Sequence, residues 1–148
     1  MPDKTLATFF QLFNEIGILS QLSRARFEAR LEDGFLLPHF TVLNHLIRVG
    51  DGRTPMELSR AFQVPKASMT HTLGGLTKAG YIEMRANTKD KRSKLIYITE
   101  TGRDFHESAI INLKPDVDEI SELFKVEEVE SILPALQSLR ETLDKMRD

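Results

Sequence analysis

The chain has 148 residues, no cysteine and a formal net charge of −2 at pH 7. This length fits one domain that buries about two-thirds of its unfolded surface, and the lack of cysteine excludes disulfides and thiol chemistry. No run of about 18 apolar residues and no secretion-signal pattern is present, which predicts a cytoplasmic protein without a membrane partner.

The charge is spread unevenly along the chain. Residues 60–103 hold nine Lys or Arg against three Asp or Glu, a net charge of +6. Residues 1–59 have a net charge of −1, and residues 104–148 have a net charge of −7. Because clustered positive charge attracts phosphates, the middle segment predicts a DNA-binding surface. The alternative is an ordinary surface that happens to be basic, which is weaker because the same residues carry a structural motif.

Residues 3–32 predict one long helix, since apolar residues recur there at helical spacing and Gly17 is the only Gly or Pro. A helix of ~30 residues would be roughly 45 Å long, which is more than a compact domain needs. Part of its apolar stripe is therefore predicted to face a second subunit, although packing within the chain is an equal alternative for any single residue. The stripe residues assigned to a dimer interface are Leu6, Phe9, Phe10 and Phe13.

The next predicted helix is Leu37–Val49, and Gly50-Asp51-Gly52 closes it. Its predicted apolar side consists of Phe40, Leu43, Leu46 and Ile47. His39 and His45 are six residues apart and so do not share one helical face, which argues against a metal pair. The two histidines are interpreted as solvated or as satisfied within the core.

Residues 54–80 have the pattern of a helix-turn-helix. Thr54 and Glu57 can form a capping box with Pro55 at the first helical position. A turn around Gln63 and Val64 leads to a second helix, predicted from near Pro65 to Gly80. Its inward residues are predicted to be Met69, Thr72, Leu73 and Leu76. Small polar and basic side chains remain on the outer N-terminal end, as a helix in a DNA major groove needs; they are Lys66, Ser68, Thr70 and His71.

A β-hairpin with a basic tip is predicted to follow. Tyr81–Arg85 and Lys94–Thr99 show partial period-2 alternation, with Ile82, Met84, Ile96 and Ile98 on the buried side. The segment 86–93 between them is too polar to be buried. The cations of this segment and of the first residue after it can reach phosphates or a narrow minor groove; Lys89, Lys91, Arg92 and Lys94 lie within six residues.

The C-terminal third predicts two more helices. Thr99 can cap a helix from Glu100 toward Phe124, with Pro115 breaking or kinking it. Residues 126–146 carry a strong apolar stripe that Pro134 is predicted to bend. The apolar surface of both chain ends exceeds what one small core can cover, so a homodimer is predicted. From this stripe the assigned interface residues are Leu136, Leu139 and Leu143.

This order of elements resembles the MarR (multiple antibiotic resistance regulator) family over nearly the whole chain. The residues that carry the resemblance are Asp90-Lys91-Arg92, followed by Ile98-Thr99-Glu100-Thr101-Gly102. It implies an α+β, mostly helical fold: a winged helix-turn-helix with long N- and C-terminal dimerisation helices. The implied protein is a homodimeric repressor that binds double-stranded DNA at a palindromic operator. One domain, 1–148, would have a DNA-binding lobe at 35–103 and dimerisation helices at 3–32 and 104–148.

Residue roles also follow from the resemblance. Lys66, Ser68, Thr70 and His71 match groove-facing positions, Arg92 matches a wing arginine in the minor groove, and Asp90 matches the acid that orients it. With Lys89 and Lys91, these residues are the predicted DNA-binding site. A small-molecule effector, such as a small aromatic acid, is implied near Phe13, His39 and Leu43, for which plain core is the alternative.

Two departures from the family pattern concern the second helix of the motif. The family often has arginine where His71 stands. Gly74-Gly75 replaces better helix formers at about 1 kcal/mol each, and either allows close packing or leaves the helix soft.

No enzyme and no cofactor is predicted. Ser68 and Thr70 lie near His71, but on one exposed helical turn and with no acid to orient the imidazole. Gly74-Gly75 belongs to no phosphate-binding loop. A second candidate is a winged-helix module that binds proteins instead of DNA, which would have the same fold. The basic tip and the polar start of the second helix favour DNA, since a protein-binding face would expose aromatic residues or leucines there.

Overall fold

The structure is a computed structural model that describes Met1 and residues 3–147. It is mostly helical with one two-stranded antiparallel sheet, which confirms the predicted α+β class. The chain divides into two compact units, Met1–Asn112 and the segment from Leu113 onward. The elements are α1 (Lys4–Glu28), α2 (Leu37–Val49), α3 (Pro55–Phe62), α4 (Lys66–Ala79), β1 (Ile82–Ala86), β2 (Lys94–Ile98), α5 (Glu100–Ile111), α6 (Lys114–Leu123) and α7 (Val126–Met146). None of the described helices has the length and apolar character needed to cross a bilayer.

The first helix is shorter than the predicted 3–32. Asp3 caps α1 by accepting a hydrogen bond from the Leu6 N–H at 2.8 Å, but the helix ends at Glu28. The Glu28 carboxylate accepts from Arg24 Nε at 2.7 Å and from the Leu37 N–H at 3.0 Å, so it joins the end of α1 to the start of α2. Between the two helices the chain turns at Gly34, which has a positive φ of 89°, and Leu31 and Phe35 pack against the core.

The core of the first unit is built from α2, α3, α4, the hairpin and α5. Two residues predicted on its buried side are exposed instead: Ile47 at 38% and Met84 at 42%. Helix α2 buries the face that includes Val42, which leaves Ile47 outside, and β1 is exposed beyond Ile82. The largest fully buried side chains are Val42, Leu43, Leu46, Leu58, Leu73, Leu76 and Ile96.

The hairpin is joined to the loop between α2 and α3. Strands β1 and β2 pair in the register Ile82 with Ile98 through Ala86 with Lys94. On the other edge of β2, the Gly52 N–H donates to the Ile96 carbonyl at 2.9 Å, and the Ile96 N–H donates to the Arg53 carbonyl at 2.8 Å. The Asp51 carboxylate accepts from the Ile98 N–H at 2.8 Å. The base of the hairpin is therefore fixed to the helix-turn-helix.

The turn from β2 into α5 requires a glycine at position 102. Thr99 caps α5 as predicted, since its hydroxyl accepts from the Gly102 N–H at 3.0 Å and donates to the Gly80 carbonyl at 2.6 Å. This double use of Thr99 draws the start of α5 against the end of α4. A Cβ on Gly102 would overlap the Tyr81 carbonyl group, which is backbone and cannot turn aside.

We expect Gly102→Ala to lower the free energy of unfolding by about 1–3 kcal/mol, as overpacking does. Gly74→Ala is the matched control, because a Cβ there meets no atom within 4 Å. In a helix interior it should raise the free energy of unfolding by roughly 0.5–1 kcal/mol. Urea unfolding monitored by circular dichroism measures both changes. Equal stability of the two variants would contradict this account of Gly102.

The helix predicted from Glu100 toward Phe124 is divided in two. Helix α5 ends at Ile111, and α6 begins at Lys114 with Pro115 in its first turn. The break therefore precedes the proline, because a first-turn proline needs no intrahelical N–H partner. Helix α7 covers the predicted 126–146, with Pro134 inside it, and buries none of its residues in the single chain.

Candidate nucleic-acid interface

Helix α4 begins at an exposed, polar turn. Gln63 adopts the left-handed conformation (φ 53°) at the end of α3, and Pro65 lies at the N-cap position of α4. The side chains predicted to face inward are all buried, which anchors α4 against the core; they are Met69, Thr72, Leu73 and Leu76. The predicted groove-facing residues all lie at the exposed surface of the first half of α4; they are Lys66, Ser68, Thr70 and His71.

The hairpin tip presents Arg92 to solvent. Its side chain is 91% exposed, yet Asp90 holds it through three hydrogen bonds. Asp90 Oδ1 accepts from the Arg92 N–H at 3.0 Å and from Nε at 3.1 Å, and Oδ2 accepts from Nη2 at 3.3 Å. Hydrogen bonding to the Arg92 side chain holds the pKa of the Asp90 carboxyl below its usual value. The tip therefore combines an exposed guanidinium with a carboxylate that limits its orientations.

The other cations of the hairpin differ in their surroundings. Lys89, Lys91 and Lys94 are exposed. Arg85 lies with its guanidinium carbon 3.8 Å from the centroid of the Tyr97 ring, and it also pairs with Glu83. The charge available at the tip therefore comes from its lysines and Arg92, while Arg85 stabilises the strands.

Asn87 also belongs to the tip, and its role could not be predicted from the sequence. Its side chain hydrogen-bonds the backbone of Lys89 and Asp90 and the hydroxyl of Ser93. An asparagine at the start of a polar segment is a recognisable turn signal. The sequence alone does not show which groups across the loop its amide contacts.

The two glycines of α4 have different surroundings. A Cβ on Gly75 would lie 3.1 Å from Nε2 of His39, whereas one on Gly74 would meet nothing. Gly75 therefore allows close packing of α4 against α2. His39 is buried, its Nδ1 accepts from the Leu36 N–H at 2.9 Å, and desolvation lowers the pKa of its imidazole. The neutral ring thus serves as a helix cap and a packing partner.

The residues predicted for an effector lie in three different surroundings. Leu43 is fully buried in the core, and Phe13 is exposed on α1 beside Phe9. His39 lines an open groove of about 900 Å³ along α4. A smaller cavity of about 220 Å³ has walls from four helices, including Arg24, Val42, Phe62 and Met69.

The residues predicted for a dimer interface are accessible in the single chain. In the first unit, the exposed fractions on α1 range from 44% to 67% for Leu6, Phe9, Phe10 and Phe13. In the second unit, α7 exposes Leu136 at 37% and Leu143 at 46%, and Leu139 is half-buried.

A helix-turn-helix followed by a two-stranded hairpin with a basic tip defines a winged helix-turn-helix protein. Residues 33–93 match the MarR family model. The chain is 28% identical over 146 residues to the HTH-type transcriptional repressor YetL of Bacillus subtilis, covering 97% of this chain and 85% of YetL. It is 24% identical over 143 residues to the transcriptional activatory protein BadR of Rhodopseudomonas palustris, covering 95% of this chain and 80% of BadR.

The fold is also that of the transcriptional regulator BldR from Sulfolobus solfataricus. The two structures superpose with a TM-score of 0.77 at 23% identity, covering 95% of this chain and 99% of BldR. In sequence and in fold, the chain is therefore similar to transcriptional regulators of the MarR family. Its relatives are named as transcriptional regulators and not as enzymes.

Proposed function

We propose that the protein is a DNA-binding transcriptional regulator that acts as a homodimer on a palindromic operator. The observation that carries this proposal is the exposed Arg92, held by Asp90 at the tip of a hairpin whose base is fixed to the helix-turn-helix. Arginine at such a tip suits a narrow minor groove, where the negative potential is strongest. The wing residues assigned to DNA are Lys89, Asp90, Lys91 and Arg92.

Helix α4 is the proposed recognition helix. A major groove about 12 Å wide admits one α-helix, and residues at the N-terminal end of that helix reach the base edges. The residues at that end are small, polar or basic, so they can approach bases without steric conflict. The assigned residues are Lys66, Ser68, Thr70 and His71.

The homodimer is proposed from the apolar surface at both ends of the chain. Exposed aromatic and aliphatic side chains on α1 and α7 would be costly in a monomer, and a second copy can cover them. We assign 35–103 to the DNA-binding lobe, and 3–32 and 104–148 to dimerisation, within one domain 1–148. The interface residues are Leu6, Phe9, Phe10, Phe13, Leu136, Leu139 and Leu143.

Repression is the proposed sign of regulation, in line with the name of YetL; BadR is named as an activator.

Selection of binding sites from a random pool of duplex DNA is the most direct test that the protein binds a palindromic operator. We expect the purified protein to enrich a palindrome with half-sites about one helical turn, or a multiple of it, apart. Failure to enrich any sequence would favour the protein-interaction module instead.

Arg92→Ala should weaken binding to the selected DNA by roughly ten- to a hundredfold without changing the unfolding temperature, because the side chain is exposed. Lys114→Ala is the matched control, because it also removes one exposed positive charge that is paired with a nearby carboxylate. Lys114 Nζ lies 2.7 Å from Oδ2 of Asp118. Fluorescence anisotropy with the selected duplex measures both. Equal affinities of the two variants would show that the wing assignment is wrong.

We further propose that a small aromatic acid releases the protein from DNA. The assigned residues are Phe13, His39 and Leu43, and a ligand can reach Leu43 only if the core opens. The cavity of about 220 Å³ offers a second place, with apolar walls and the guanidinium of Arg24. An apolar cavity of ~150 Å³ holds a benzene ring, so a substituted benzoic acid has a suitable size.

We expect salicylate-like acids to weaken DNA binding, with a coupling free energy between the two sites of typically 1–3 kcal/mol. Because such coupling is reciprocal, the protein bound to DNA should bind the acid more weakly by the same free energy. Peroxide should have no effect, because the chain has no cysteine to oxidise. Anisotropy of the DNA complex measures both responses. Release by peroxide and by no aromatic acid would contradict the effector proposal and would point to oxidation of Met69 in α4.

A further inference from the structure

The tip of the wing has an inner and an outer set of side chains. Lys89, Lys91 and Arg92 are exposed, whereas Asn87, Asp90 and Ser93 are only partly exposed. The inner three side chains hydrogen-bond one another or the backbone between them. The cations are thus carried on a small polar core.

Asn87 makes the contacts that close this core. Its Oδ1 accepts from the Lys89 N–H at 3.1 Å and from the Asp90 N–H at 3.3 Å. Its Nδ2 donates to the Ser93 hydroxyl at 3.2 Å. One side chain just after β1 therefore holds the middle of the loop and also its far end, just before β2.

From Asn87 the contacts continue to Arg92. The Asp90 backbone is fixed by its N–H bond to Asn87 and by its carbonyl, which accepts from the Ser93 N–H at 3.2 Å. The Asp90 carboxylate then accepts from the backbone and the guanidinium of Arg92. The orientation of the guanidinium thus depends on where Asn87 holds Asp90.

We propose that Asn87 is a positioning residue for DNA binding, which orders the wing tip before contact so that Asp90 can aim Arg92. This inference rests on the proposed function. A loop that is already ordered loses less conformational entropy when it binds DNA, so the affinity of the protein for DNA increases without a new contact. Asn87 itself need not touch DNA.

Asparagine suits this position because it has an acceptor and a donor on one short side chain. Aspartate would keep the two bonds from the Lys89 and Asp90 N–H groups but lose the donor to Ser93. Aspartate would also place a second negative charge beside Asp90, close to the DNA phosphates. Alanine would remove all three hydrogen bonds.

A double-mutant cycle tests the inference. We expect Asn87→Ala to weaken binding to the selected duplex by roughly three- to tenfold, and Thr88→Ala, at the exposed neighbouring position, to change it less than twofold. The double variant Asn87→Ala/Arg92→Ala should bind no more weakly than Arg92→Ala alone, because Asn87 acts through Arg92. Amide hydrogen exchange at Lys89 and Asp90 should be faster in Asn87→Ala, while the unfolding midpoint stays that of the wild type.

The outcomes separate the inference from the function on which it rests. Wild-type protein that binds no duplex would overturn the proposed function and this inference with it. Wild-type binding that Asn87→Ala leaves unchanged would overturn the inference alone. The same holds if the losses of Asn87→Ala and Arg92→Ala multiply in the double variant, since Asn87 would then act independently of Arg92.

Discussion

Raising the salt concentration from 50 to 200 mM is expected to weaken DNA binding by roughly 10³–10⁵-fold, if the dimer makes ~6–10 phosphate contacts. Each phosphate that a cation neutralises releases condensed counterions, and added salt opposes that release. The net charge of +6 in residues 60–103 supplies the cations in each copy. Residues 104–148 have a net charge of −7, so the net positive charge that can attract DNA lies in residues 60–103.

The slope of the logarithm of the binding constant against the logarithm of the salt concentration also identifies individual phosphate contacts. Lys91→Gln should reduce the slope by about one unit per copy if Lys91 neutralises a phosphate. Lys114→Gln removes the same charge from the acidic segment and should leave the slope unchanged. Affinities from anisotropy at five salt concentrations give both slopes. Affinity that stays flat between 50 and 200 mM would refute the DNA-binding proposal and favour the protein-interaction module.

Phe10→Glu is expected to abolish the dimer and to weaken operator binding by roughly 10²–10⁴-fold. Phe10 is the most exposed of the four α1 residues assigned to the interface, at 67%, so a second copy would bury a carboxylate in its place at high cost. A monomer carries one recognition helix and loses the gain from linking two half-site contacts. Sedimentation equilibrium and anisotropy measure the two effects.

Gln11→Glu provides the matched control for that substitution. At 100° per residue, Gln11 lies roughly 150° from the centre of the stripe formed by Leu6, Phe9, Phe10 and Phe13. It adds the same charge to the opposite side of α1, and we expect an unchanged dimer. If Phe10→Glu remained dimeric and bound the operator normally, the assignment of α1 to the interface would be wrong.

Features that depend on neighbouring residues could be predicted from the sequence. Helix α2 matches the prediction at both ends, and α4 begins and ends next to the predicted Pro65 and Gly80. Thr54 and Thr99 cap α3 and α5, because an N-cap bond spans three residues and leaves a local signature. The buried face of α4 could also be predicted, because the spacing of apolar residues along a helix indicates which of its sides is apolar.

Features that join distant residues could not be predicted. The bond between Glu28 and the Leu37 N–H joins the end of α1 to the start of α2, and nothing in the local pattern of residues 3–32 shows it. The packing of Gly75 on His39 and of Gly102 on Tyr81 likewise requires the positions of two elements. Periodicity therefore identified the faces of single elements but not their partners.

The candidate site shows the same limit. The exposed surface of α4 and the basic tip were predicted, because polarity along one element is visible in the sequence. The contacts of Asn87 with Asp90 and Ser93 were not, since they cross a loop whose conformation the sequence leaves open. Phe13, His39 and Leu43 were grouped by resemblance, and the described structure places them in three different surroundings.

The bonds that close the first unit have a consequence for the order in which the protein folds. Glu32 pairs with Tyr81 across 49 residues, Asp51 with Ile98 across 47, and Asn44 with His106 across 62. Contacts between α3 and α4 are short in sequence and can form early, whereas these three must wait for loop closure. On the ribosome, where synthesis proceeds from the N-terminus, a nascent chain that ends before Lys94 would leave β1 without its partner strand. We therefore expect the wing to be the last part of the DNA-binding lobe to gain protection from proteases during synthesis.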